Sequence, residues 1–318
     1  MFNHKQPPLN AMRNKEATLE LFTETMGKPF LKWAGGKTQL LPEISKSMPA
    51  MDIITTYVEP FVGSGAVMFW VINTFKNIQR VVINDFNIEL TNVYGAIKTD
   101  VDGLIKELKS LDREYKTSDF DGQKEMFYAK RDEYNERVLD GKSYSTHYAA
   151  LFIFLNRTCF NGLYRVNAKN KFNVPMGKYA NPNICDEKTL LDDNVTLQKV
   201  EILNGDFAGT LQYASPNTFY YLDPPYKPIS DSSNFNTYSS ETFDDAQQIR
   251  LKEFCDEVSN RNAFFMLSNS DPKSVDNNND FFDVLYQDYT IKRVLASRRI
   301  NSKSEGRGEI NELLITNY

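Results

Sequence analysis

The chain has 318 residues, with 37 Lys and Arg against 42 Asp and Glu, a net charge of −5 and 41% hydrophobic residues, which leaves room for one large α/β domain and a smaller one. No stretch is apolar for long enough to span a bilayer, and MFNHKQPPLNAMRNKEATLELF lacks the apolar core of a signal peptide. Cys159, Cys185 and Cys255 form no CxxC pair and read as reduced cytosolic thiols, and His4 and His147 alone argue against a histidine metal centre or triad.

Residues 1–27 read as a polar extension. KPFLKWAGGKTQLL, Lys28 to Leu41, is a glycine-bearing loop opening a helix. It fails the phosphate-loop pattern, which requires glycine where Leu31 stands and a preceding strand, so ATP hydrolysis is rejected. Ile53 to Glu59 is a β-rich run. Pro60-Phe61-Val62-Gly63-Ser64-Gly65 and an apolar helical stretch to Phe75 follow, giving strand, glycine turn and helix. VVIND at 81–85 is a second strand ending in an acid. Glycines after a first strand let backbone approach a ligand, and an acid closing the second can bind ribose hydroxyls. The third glycine of a dinucleotide fingerprint is replaced by Met68. The pattern therefore fits a nucleoside cofactor without a pyrophosphate, such as S-adenosylmethionine (SAM), better than NAD.

Residues 100–140 carry charges of both signs and read as exposed helices. Val200 to Phe207 predicts a strand ending in Gly205-Asp206-Phe207, and Phe219 to Leu222 a buried one. Lys227 to Thr242 is a long polar connection of the kind active-site lids use. A helix over about 244–261, a strand over 264–268, a polar loop over 276–283 and a last strand in ELLITNY complete the chain. Strand–helix alternation on both sides of a helical insert predicts a doubly wound α/β sheet split by a second domain at roughly 100–189.

The Phe219–Leu222 run ends in Asp223-Pro224-Pro225-Tyr226. Two prolines stop the strand in a rigid turn at its carboxyl end, where open α/β sheets place ligands. The turn offers a carboxylate, backbone carbonyls and an aromatic face. Those groups suit methylation of an exocyclic amine conjugated to a ring, whose lone pair must be freed by holding both N–H groups. Asp223 would accept one and the Pro224 carbonyl the other, while Tyr226 stacks on the base. A base in a duplex must be flipped out to be reached. The four residues alone fit a plain strand-ending turn equally well.

Charge is unevenly distributed. Gly141 to Cys185 contains no acid, where the chain average of 42 in 318 would place about six, and it holds Lys142, Arg157, Arg165, Lys169, Lys171 and Lys178. Lys292 to Gly308 is also basic. Such faces on an acidic chain suit phosphate contacts, the alternative being a solvated face.

Together these segments resemble the Dam-type (D12 class, α-group) SAM-dependent DNA adenine-N6 methyltransferases. The resemblance runs from Lys28 to Tyr318 through seven motifs in order: FLKWAGGK, EPFVGSG, VVINDFN, GDF, DPPY, SSNFNTYSSETF and RRINSKSEGRGEINELLITNY. It implies a Rossmann-like SAM-dependent methyltransferase sheet, residues 28–99 with 190–318, and a mainly helical inserted target-recognition domain at 100–189. Trp33, Gly36 and Lys37 would line the methionine side of SAM. Glu59, Phe61, Gly63 and Gly65 would shape its pocket, Asp85 would bind the ribose, and Asp206 with Phe207 would serve the adenine. NRTCFNGLYRVN and FNVPMGKY resemble the recognition hairpin of members that read GATC. Arg165 would contact guanine there. Phe160 and Asn161 would fill the space left by the extruded adenine, with Leu163 and Pro175 on nearby bases. Phe160 stands where many relatives have Tyr, and members reading GATATC carry a similar segment.

From the residues alone, Trp33, Phe61 and Phe207 equally suit a core, Gly63 and Gly65 strand–helix packing, Asp206 a helix cap and Arg165 a phosphate contact. The resemblance further implies double-stranded DNA as partner, no metal, no membrane, and a monomer or weak dimer in a bacterial or phage-infected cytoplasm. A cognate restriction endonuclease acting separately is a candidate partner. RNA or protein methylation is the rival reading, and a non-catalytic SAM sensor would show damaged motifs. A cytosine-C5 methylase would need a nucleophilic Cys following Pro, which is absent.

Overall fold

The computed structural model describes residues 26–33, 35–139, 141, 143–226, 243–297 and 309–318. The strands are β1 (Thr56–Glu59), β2 (Arg80–Asp85), β3 (Val200–Asn204), β4 (Thr218–Leu222), β5 (Phe264–Ser270), β6 (Thr290–Ser297) and β7 (Glu309–Thr316). They form one sheet in the order β3-β2-β1-β4-β5-β7-β6. The first five are mutually parallel, and β7 runs antiparallel between β5 and β6. The α/β sheet predicted from the alternation is therefore present.

The order reverses beside β1, whose neighbours are β2 on one side and β4 on the other. In open α/β sheets such a switch point, at the carboxyl ends of the strands, is where ligands bind. The glycine turn after β1 and the Asp-Pro-Pro-Tyr turn after β4 flank it. Central position explains why all five residues of β4 are buried and why its sequence is a continuous apolar run.

Helix Ala66–Thr74 follows β1 and helix Ile88–Thr99 follows β2. Val101–Thr117 buries Leu104, Ile105, Leu108, Leu111 and Tyr115, a one-sided spacing that leaves its charges in solvent. Asp100, Asp119, Ser145 and Asp186 cap the helices that follow them by accepting a backbone N–H from the first turn. Thr146–Thr158 is apolar on nearly every side and is packed by Ile88–Thr99, Val101–Thr117 and Phe120–Asn135. One hydrophobic cluster joins these helices to Tyr57, Val81 and Phe219 of the sheet.

β6 is a strand that the pattern 290–297 did not suggest, because its cations read as a surface. Arg293 instead pairs with Asp271 and Asp283, and Lys292 with Glu43. Two cations of the second basic segment are thus spent inside the protein. Its remainder at 298–308, the long connection at 227–242 and the extension at 1–25 lie outside the described residues. The loop expected over 276–283 contains the start of a short helix, Phe281–Leu285. Among the described residues no helix is long and apolar enough to cross a membrane.

Candidate active site

The glycine turn is shaped by close contacts. Gly63 has φ 50° and Gly65 φ 72°, the left-handed region that favours glycine. A Cβ on Gly65 would stand 2.6 Å from the Tyr94 hydroxyl, which itself donates to the Gly63 carbonyl at 3.0 Å. Asp85 closes β2 and accepts from Gly63 N–H at 3.0 Å and from Asn87 N–H at 2.9 Å. Burial pushes its carboxyl up to about 6, against the pull of those two N–H groups. Glu59 is buried and accepts from the Tyr57 hydroxyl at 2.7 Å; desolvation drives its carboxyl well above the usual range.

Beyond β1 and β3, Phe61 and Phe207 meet at 5.3 Å between ring centroids, and Phe243 stands edge-on to Phe61 at 5.8 Å. Asp206 caps the short helix Phe207–Tyr213 through Ala208 N–H. Its two carboxylate oxygens also take Arg250 at 2.7 and 2.5 Å, and this guanidinium holds the carboxyl below its ordinary value. The cap role weighed from sequence is therefore present, with Oδ2 retaining one acceptor position.

Asp223 follows β4. Its Oδ1 accepts from Lys37 Nζ at 2.9 Å and from Ser268 Oγ at 3.0 Å. Burial raises the carboxyl, Lys37 opposes that rise, and nearby Glu312 adds to it. Lys37 Nζ also lies 4.4 Å from the centroid of the Tyr226 ring and donates to the Gly35 carbonyl. The Tyr226 hydroxyl donates to Glu312 Oε2 at 2.7 Å, and Gln248 donates to the Pro225 carbonyl at 3.4 Å. Lys37, assigned from sequence to the cofactor, thus stands on the Asp-Pro-Pro-Tyr turn. Ser268 and Glu312 were missed. The signals available were the polar ending of the β5 run and the acid Glu312 directly before the apolar Leu313-Leu314-Ile315 of β7.

Trp33 stacks on Tyr164 at 5.5 Å and on Phe152 at 6.2 Å, which places the first motif against helix Thr146–Thr158 and the hairpin after it. Gly36 lies beside Ser64 and the Trp33 carbonyl.

The expected recognition hairpin is a hairpin. Val166 pairs with Phe172 and Cys159 with Met176 in antiparallel bridges. Tyr164, Val166, Phe172 and Val174 face inward, while Phe160, Asn161, Arg165 and Pro175 are exposed and Leu163 is half-buried. Phe160 N–H donates to the Pro175 carbonyl at 2.9 Å, which brings those two residues to one place. Arg165 Nε donates to Asn173 Oδ1 at 2.7 Å. Asn161 sits at φ 56°, a region Asn tolerates. Phe160 is 52% exposed, one of several large apolar side chains left in solvent.

An open sheet with an antiparallel seventh strand, a glycine turn after β1, an acid closing β2 and an Asp-Pro-Pro-Tyr turn closing β4 define a Rossmann-like methyltransferase. Comparison with known proteins takes this further. Residues 33–300 match the model of the D12 class N6 adenine-specific DNA methyltransferases, and the chain belongs to that family. It is 45% identical over 295 residues, covering 92% of this chain and 99% of the relative, to the type II methyltransferase M.MjaIII of Methanocaldococcus jannaschii. It is 37% identical over 293 residues to the type II methyltransferase M1.LlaDCHI of Lactococcus lactis subsp. cremoris, covering 92% and 95% of the two chains. It is 30% identical over 287 residues to the DNA adenine methylase of Escherichia coli (strain K12), covering 90% and 94%. The protein is an adenine-specific DNA methyltransferase.

Proposed function

We infer that this enzyme transfers the methyl group of SAM to N6 of an adenine flipped out of duplex DNA, within the sequence GATC. The observation that carries the reading is Asp223 at the carboxyl end of β4, its Oδ1 fixed by Lys37 and Ser268. Those contacts leave Oδ2 as the acceptor for one amino hydrogen, and the Pro224 carbonyl takes the other. The nitrogen lone pair then points out of the ring plane. A fixed anion beside the nitrogen stabilises the positive charge that develops there.

The residues fit SAM chemically. Each Asp85 oxygen uses one acceptor position on backbone and keeps another for a ribose hydroxyl. Phe61 and Phe207 give a purine an aromatic wall, and Asp206 Oδ2 can accept from its amino group. Glu59, Gly63 and Gly65 shape the floor, and Trp33, Gly36 and Lys37 stand along the amino-acid end. When bound, SAM supplies an electrophilic methyl group.

Target reading falls to the exposed face of the hairpin, in a recognition domain at 100–189. Arg165 serves guanine, Phe160 and Asn161 the gap left by the adenine, and Leu163 and Pro175 the adjoining bases. Two relatives are named type II methyltransferases, which supports a separately acting endonuclease as partner. The DNA substrate points to the cytoplasm of a bacterial or phage-infected cell, with the enzyme acting as a monomer or weak dimer.

The test is methyl transfer from labelled SAM to unmethylated duplex DNA, with the methylated positions mapped at base resolution. Transfer confined to the adenine of GATC is expected. Methylation at another sequence, GATATC for instance, would keep the chemistry and discard the assignment of 160–175.

A further inference from the structure

The helix Thr146–Thr158 ends on a side chain whose partners lie in two separate segments. Asn156 is 3% exposed. Its Oδ1 accepts from Lys32 N–H at 3.0 Å, and its Nδ2 donates to the Lys32 carbonyl at 2.8 Å and to the Gly162 carbonyl at 3.0 Å. Both amide hydrogens and one oxygen position are therefore used on main chain. Lys32 immediately precedes Trp33 in the strap that leads into the cofactor loop. Gly162 closes the turn that presents Phe160 and Asn161.

Independent contacts hold the same two segments together. A Cβ on Gly162 would stand 2.6 Å from Lys32 Cβ, so strap and turn touch with no space between them, and Gly162 sits at φ 65°. Trp33 stacks on Tyr164 of the hairpin. Lys32 Nζ lies 4.4 Å over the ring of Tyr179, in the segment after the hairpin. Arg157 donates to the Phe30 carbonyl at 2.7 Å. Five residues after Lys32, Lys37 holds Asp223. A shift of the recognition turn on DNA cannot leave the strap where it was, because buried amide bonds of this kind are expensive to leave unmade.

We propose that Asn156 is a positioning residue that couples target recognition to cofactor binding, by tying the Lys32 strap and the Gly162 turn into one body. This rests on the assignment of SAM and duplex DNA as ligands. Coupling between two binding sites is reciprocal, so each ligand must change the affinity of the other by one common factor.

The experiment closes a thermodynamic square. The affinity of a labelled duplex carrying the mapped target site is measured by fluorescence anisotropy with and without sinefungin, a SAM analogue with no methyl group to transfer. The affinity of sinefungin is measured by calorimetry with and without the duplex. In the wild type each ligand is expected to tighten the other by the same factor, roughly fivefold or more. In Asn156→Ala that factor is expected to fall towards one while each ligand alone still binds. A merely structural role would lower thermal stability and both separate affinities but leave the factor unchanged. If Asn156→Ala does not fold, Asn156→Ser, which retains one hydrogen-bonding group, takes its place and is judged by the same factor.

A folded variant that keeps the wild-type factor, or a wild type whose factor is one, overturns the proposal. Failure of sinefungin to bind the wild type at all overturns the cofactor assignment, and this inference with it. That outcome is distinct from two ligands that bind without influencing each other.

Discussion

Lys37→Met should move the acid limb of the methyl-transfer rate to higher pH. Asp223 must be ionised to accept strongly from the amine, so the rate falls as pH drops through the carboxyl's pKa. Burial already holds that pKa above its ordinary value, and Lys37 at 2.9 Å is the main force opposing the rise. Two unit charges at about 4 Å in a partly buried site interact by about 4 kcal/mol, and an opposite charge this close lowers a carboxylate pKa by about 1–3 units. Methionine keeps the length and removes the charge. The limb is therefore expected to move to higher pH, with activity returning above it at a level set by the loss of Lys37 from the site. The assay is single-turnover transfer of labelled methyl to duplex DNA at saturating SAM and DNA across about pH 5 to 9. An unmoved limb would refute the argument that Lys37 sets the ionisation of Asp223.

Asp223→Ala should lower kcat by at least about 10²–10³-fold, the loss typical of one fixed electrostatic contact, while SAM binding by calorimetry is largely spared; retained turnover would remove Asp223 from the mechanism. Arg165→Ala should cost about 1–3 kcal/mol of discrimination at one guanine, read as the ratio of kcat/KM on cognate and substituted duplexes. An equal loss on every sequence would make Arg165 a phosphate contact. Asp193 is buried, with Oδ1 accepting from Lys28 N–H and Oδ2 lacking a described partner, and burial pushes its carboxyl up to about 8. The unfolded carboxyl ionises near ~3.9, so between that value and about 8 the unfolded state has released a proton that the folded state keeps, and stability falls as pH rises. The cost is at most about 1.4 kcal/mol per pH unit in that window. Asp193→Asn should flatten it, so that urea midpoints at about pH 5 and pH 8 converge; an unchanged pH dependence would assign it to other groups.

Much of the site was legible because it is local. A strand followed by glycines, a strand ending in an acid and a strand stopped by two prolines are each contiguous, and backbone sterics alone fix what they can do. Once the alternation implied a parallel sheet, those turns had to gather at its carboxyl edge. The hairpin was expected only from the family resemblance of NRTCFNGLYRVN and FNVPMGKY; the structure adds that its inward Tyr164, Val166, Phe172 and Val174 alternate with outward residues.

What sequence left open is the choice of partner across the chain. No local pattern says that Lys37 pairs with Asp223, that Tyr226 donates to Glu312, or that Asn156 joins Lys32 to Gly162. β6 was hidden because Lys292 and Arg293 resemble a phosphate-binding face until Glu43, Asp271 and Asp283 are brought beside them. Side-chain period and turn chemistry act over a few residues and are written in the sequence. Sheet register and helix packing decide which charges meet over long separations, and that decision depends on the whole core at once.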